Sequence, residues 1–108
     1  MIQDAHTRKI NIPVVAAVGT HTIIPAMAHA WLYIHELIGD LEANGTIDIV
    51  CGLRNVGTFR VDAGQGLTLD DIPGEDNRPR FECRPGEGFT LVISGGTFNG
   101  ACSYSIRY

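Results

Sequence analysis

The stretch Ala28 to Cys51, AHAWLYIHELIGDLEANGTIDIVC, constrains the fold more than any other part of the chain. It reads as a long strand, a turn and a second strand. Side chains on a strand point alternately to its two faces. In the first half Leu32, Ile34 and Ile38 share one parity, and Trp31, Tyr33, His35 and Leu37 share the other. Both sets are bulky, which predicts a strand covered on both sides. The turn falls between Asp40 and Gly45, where Asn44-Gly45 tolerates positive φ. The return run Thr46 to Cys51 alternates more cleanly, with Ile47, Ile49 and Cys51 on one side. A helix over Pro25 to Leu41 is the competing reading. Ala, Met, Leu and Glu form helices well, and Pro25 suits a first helical turn. Trp31, Tyr33, Ile34 and Ile38 favour the strand, as does the chain around them.

The rest of the chain is punctuated at short intervals. Val14 to Val18 ends at Gly19, and Thr20 to Ile24 stops at Pro25, which has no N–H to give a ladder. Gly57 to Val61 and Leu67 to Leu69 follow, then Ile72 to Pro79, a loop with two prolines, a glycine and polar turn formers. Arg80 to Cys83, Gly88 to Ser94 and Gly100 to Tyr108 complete the series, with Cys102, Tyr104, Ile106 and Tyr108 facing one way. About eight short strands at roughly ten-residue spacing are the pattern of an all-β antiparallel sandwich or barrel. The expected organisation is an N-terminal arm or edge strand over 1–12 and a single β domain over 13–108.

A chain of 108 residues buries roughly 65% of its unfolded surface, enough for one core without metal or disulfides. The net charge of −4, with eight scattered basic residues, argues against nucleic acid, which needs clustered Lys and Arg. Cys51, Cys83 and Cys102 are odd in number and far apart, which predicts reduced, partly buried thiols. The N-terminus lacks the apolar run of a signal peptide, and the longest apolar run, Pro13 to Val18, is too short to span a bilayer. A soluble protein made in the cytoplasm is the expectation, with no membrane partner.

Candidate chemistry is sparse. His29 and His35 share parity but sit about 20 Å apart on an extended strand, so they do not bind one ion together. His6 and His21 are not tied to either by any recognised ligand spacing. His35-Glu36 begins like a zinc-protease helix, but Gly39 stands where the second histidine belongs. The acidic segment Asp70 to Asn77 does not match a calcium loop and reads as a solvated turn. Gly64-Gln65-Gly66 and Gly86-Glu87-Gly88 do not link a strand to a helix, as a phosphate loop must. Ser94, Ser103 and Ser105 have no nucleophile-elbow context, and no carboxylates pair in the sequence. No catalytic site, metal or cofactor is expected. Phe98, in the Gly-rich stretch Gly95 to Gly100, is the aromatic expected at an interface, because a loop offers it little core to join.

Three segments together resemble a family of small phage and prophage virion proteins with a jelly-roll fold. They are THTIIPAMAHAWLYIHELIGDLEANGTIDIVCG (Thr20 to Gly52), RPGEGFTLVISGG (Arg84 to Gly96) and NGACSYSIRY (Asn99 to Tyr108). No single piece is diagnostic; the order carries the likeness, and Leu53 to Arg80 has no counterpart. The resemblance implies a jelly-roll-like β-sandwich that is structural and non-enzymatic, with capsid decoration or cement foremost and a tail or fibre module binding carbohydrate or a receptor as the alternative. It implies a virion location, a homo-oligomer with the trimer favoured, and a major capsid or other virion protein as partner. Under it the arm Gln3 to Ile12 reaches an acidic capsid surface or a neighbouring copy. Arg8, Lys9, Ile10, Ile12 and Phe98 are then the interface candidates.

Overall fold

The computed structural model describes residues 9–72 and 78–108. Among these lie nine strands: β1 (Ile10–Ala16), β2 (Gly19–Ile24), β3 (Trp31–Leu41), β4 (Gly45–Cys51), β5 (Arg54–Val61), β6 (Gly66–Leu69), β7 (Phe81–Cys83), β8 (Phe89–Ser94) and β9 (Phe98–Arg107). One sheet runs β1-β9-β3-β6 with β7 also on β3, and the other runs β2-β8-β4-β5. Every pairing is antiparallel. The chain crosses repeatedly between the sheets, which makes an all-β jelly-roll sandwich. Pro25 to Leu41 is not helical: residues 25–30 are irregular and β3 begins at Trp31.

The core lies where the inward faces of the sheets meet. Ile47, Ile49 and Cys51 of β4 pair with Ile93, Leu91 and Phe89 of β8, and all six are buried. Opposite them lie Leu32, Ile34, Leu37 and Leu41 of β3, with Val14, Ala16, Phe98 and Cys102 from the flanking strands.

β3 does not keep the simple alternation expected of it. Ile34 pairs with Tyr104, but Glu36 pairs with Ser103, so His35 is an extra residue and β3 bulges. A bulge switches the side-chain parity beyond it. Leu37 therefore joins Leu32 and Ile34 in the core, while Ile38 turns outward and is 37% exposed. Only one face of β3 is covered by the other sheet; Trp31, Tyr33 and His35 of the second set, with Ile38 beyond the bulge, belong to the outer face.

The reading of three free thiols is also corrected. Cys51 and Cys83 form a disulfide with Cα atoms 5.1 Å apart, linking β4 of one sheet to β7 of the other. Their spacing of 32 residues hides this, since contact arises only when Cys83 pairs with Leu32 and Cys51 with Phe89 in facing sheets. Cys102 is a free, buried thiol, pushed up to about 12 by burial, with Glu36 adding a smaller push.

Candidate assembly surfaces

The sheets end in β1 and β6 on one layer and in β2 and β5 on the other. Each of these four has one ladder partner among the described residues. β1 and β2 meet at the corner where two residues join them, and β5 on one sheet and β6, with β7 also on β3, on the other lie away from that corner. An edge strand presents a row of main-chain N–H and C=O groups to any strand laid beside it. Pro13 removes one donor from β1, a device that blunts an edge without closing it. At the β1–β2 corner Val15 and Val18 are 73% and 63% exposed.

The expected interface residues fall in different environments. Lys9 is exposed and its Nζ lies 3.3 Å from Asp71 Oδ2. Ile10 is 39% exposed, whereas Ile12 is half-buried and packs on the core. Arg8 and His6 lie outside the described residues. Phe98 is corrected: it begins β9 rather than sitting in a loop, pairs with Leu41, and is 0% exposed. Its ring is accommodated by glycine, since a Cβ on Gly39 would meet the tip of the Phe98 ring 2.6 Å away.

The bulge also builds a polar cluster on the outer face of the five-stranded sheet. His35 points outward into the gap on β3 between its pairings with β6 and β7. Its Nδ1 lies 2.7 Å from Asp71 Oδ1 and its Nε2 lies 2.8 Å from Ser105 Oγ. A carboxylate only accepts, so Nδ1–H donates to Asp71 and, in the neutral ring, Nε2 accepts from the Ser105 hydroxyl. The connectivity is that of a serine-hydrolase triad, but the geometry of a nucleophile is missing. Ser105 is 2% exposed, lies mid-strand opposite Tyr33, and meets His35 rather than a substrate space. The trio fastens the segment after β6 to the sheet. Next to it Glu36 is raised above the usual carboxylate range, chiefly by its hydrogen bond with Asp70, then by burial and the Asp70 charge, against a lowering from Lys9. Lys9, His35, Glu36, Asp70, Asp71 and Ser103 line a depression of about 410 Å³. Asp71, expected in a solvated turn, is thus half-buried; residues 73–77 of that segment lie outside the described residues. None of these partners was legible in the sequence, because Asp71 and Ser105 are 36 and 70 positions from His35.

The other histidines do not join it: His21 Nε2 lies 2.8 Å from Ala17 O, and His29 is exposed. Among the described residues no three His, Cys, Asp or Glu side chains are placed to hold a metal ion.

At the end where β3 begins, Arg54 grips Glu87 through Nε (2.8 Å) and Nη2 (2.6 Å). Glu87 also accepts the Arg84 N–H at 2.8 Å. Arg54 foremost, with the Arg84 N–H and both guanidinium charges, pulls Glu87 down to about 2 against a smaller opposing effect of burial. On the outer face nearby, Trp31 and Tyr33 have ring centroids 6.3 Å apart, and Arg107 stacks 5.9 Å over Tyr33.

No family model and no curated protein matches the chain. Among solved structures it is similar to a chain of the disulfide-linked pili formed by Bacillus endospore appendages, with a TM-score of 0.51 and 16% identity, over 100% of this chain and 96% of that one. A second likeness, to the crystal structure of PirA, has a TM-score of 0.36 and 15% identity over 98% of this chain and 97% of that one. At such identities the pilus likeness establishes the fold alone, and the second carries no argument.

Proposed function

We propose that this chain is a non-enzymatic structural subunit whose copies associate into an extracellular or surface-borne polymer. The observation that carries this reading is the placement of the sheet edges. β1 and β2 end the sheets on one side, and β5 and β6 end them elsewhere. Pairing of the β1 or β2 edge of one copy with the β5 or β6 edge of the next is head-to-tail and is not closed by two-fold symmetry, whereas an edge paired with its own counterpart stops at a dimer. The end-to-end fold likeness to a pilus chain supports the same reading, and so does the buried disulfide, which suits an oxidising compartment. In this scheme the stretch before β1, with Arg8, acts as the arm that reaches a neighbouring copy, while Ile10 to Ile12 belong to the β1 edge and Lys9 pairs with Asp71 of its own copy. A second reading, a virion decoration protein forming a closed trimer on a capsid, is favoured by the residue resemblance in Thr20 to Gly52, Arg84 to Gly96 and Asn99 to Tyr108. The two differ in closure. Light scattering over a concentration series, with electron microscopy of the same samples, is expected to show open-ended species that lengthen with concentration. A mass fixed at three subunits turns the choice to the virion reading, and a monomer at every concentration refutes self-assembly.

A further inference from the structure

Leu53 is 101% exposed, and it sits at the tip of the β4–β5 hairpin, where polar residues are the norm. The tip is held on every side. Gly52 takes φ +63 and its N–H donates to Gly88 O at 2.9 Å. Cys51 is disulfide-bonded, and Arg54 is locked to Glu87. An apolar side chain is therefore presented on a rigid mount at the tip of the hairpin.

Toward the other end, on the outer face of the five-stranded sheet, lies a mostly apolar hollow of about 410 Å³. Gly66, Gly100 and Ala101 leave it open, Ile38 and Thr68 flank it, and Asp40 stands at its rim. The strand register sets the two features apart. Cys83, cross-linked to the hairpin, pairs with Leu32, while the hollow lies at Ile38 to Asp40, about 20 Å further along β3. The ends also differ in charge. Arg54, Arg84 and Arg107 stand with Glu82 and Glu87 at the Leu53 end, and Asp40, Glu42 and Asp62 stand with Arg60 at the hollow end.

We infer that Leu53 of one copy seats in the Ile38–Ala101 hollow of the next, a longitudinal contact aligned by the basic and acidic ends. The contact joins two different surfaces of the same chain, so it repeats without closing. This inference rests on the self-assembly reading above and names one interface within it.

The experiment uses the full chain as wild type, Leu53→Asp and Ala101→Phe, with thermal melts showing that all three fold. The first variant spoils the knob and keeps the hollow; the second fills the hollow and keeps the knob. Each alone is expected to weaken self-association in sedimentation velocity by on the order of tenfold to a hundredfold, the worth of burying one leucine. Mixed one to one, they are expected to form dimers that do not extend through this contact, because one intact knob meets one intact hollow. Wild-type association retained in Leu53→Asp, or no dimer in the mixture, overturns the inference and leaves self-assembly standing. A wild type that stays monomeric overturns both.

Discussion

Loss of the Cys51–Cys83 bridge tests the most consequential correction to the sequence reading. The two cysteines are 32 residues apart, and both sulfur-bearing side chains are fully buried between the sheets. A cross-link closing a loop of that length removes about 12 cal/mol/K of entropy from the unfolded chain, or about 3.7 kcal/mol at 25 °C. Domains of this size are stable by about 5–15 kcal/mol, so the bridge is a large fraction of the total. The comparison of choice is the wild type, oxidised against fully reduced and refolded under reductant, because the side chains are then the same. The melting temperature of the reduced form is expected to fall by roughly 15 °C, at about 4–5 °C per kcal/mol. The urea midpoint falls with it. Alkylation of the oxidised protein after unfolding should label Cys102 alone. Three labelled cysteines would refute the bridge, and melting curves that coincide within about 3 °C would refute the entropy argument.

Phe98→Ala is expected to cost about 3–5 kcal/mol by urea titration, as for a buried ring and not a surface aromatic; a change below about 0.5 kcal/mol would return Phe98 to an interface. Glu87 has a folded pKa lowered to about 2, so its ion pair stabilises above the unfolded value of 4.5 and that stability fades as pH falls toward 2. Glu87→Gln should therefore destabilise at pH 7, by about 1 kcal/mol or less because Arg54 is partly solvated, and the difference should shrink in acid. Glu36 has the opposite sign. Its folded pKa is raised, so the native state holds its proton more tightly, and the favourable contribution present below 4.5 is lost as pH rises through the folded value. Glu36→Gln should thus be more stable than wild type at pH 7 and indistinguishable in acid, as read from melts across pH. Deleting His35 removes the bulge and returns β3 to simple alternation, with Ile34 and Leu37 still inward, so the variant is expected to fold; deleting Ile38 turns Leu41 outward and is expected not to, by circular dichroism.

The strands were legible because turns and alternation are local. Gly19, Pro25, Asn44-Gly45, Gly95-Gly96 and the alternating runs between them mark elements whose causes lie within a few residues. Phe98 was misplaced for the opposite reason. Nothing local says that Gly39, on the neighbouring strand, leaves room for its ring, so a Gly-rich stretch that reads as a loop is the start of a strand. The disulfide failed in the same way, since cysteine number and spacing describe the chain and not the approach of two sheets.

The bulge at His35 links most of what the sequence concealed. With one residue too many, β3 cannot keep both its apolar sets buried, and the mismatch is resolved by placing His35 and Glu36 together on the outer face. That placement puts an imidazole over Ser105 and within reach of Asp71, which ties down the chain leaving β6 and, through Lys9, the start of β1. It also turns Ile38 outward beside Gly100 and Ala101, forming the wall of the apolar hollow. Neither feature adds to the core; an isoleucine left 37% exposed forfeits about 0.5–1 kcal/mol of burial in the isolated chain. A surface that gives up core stability in this way is accounted for when another copy covers it, since the apolar area is then buried at the contact between subunits.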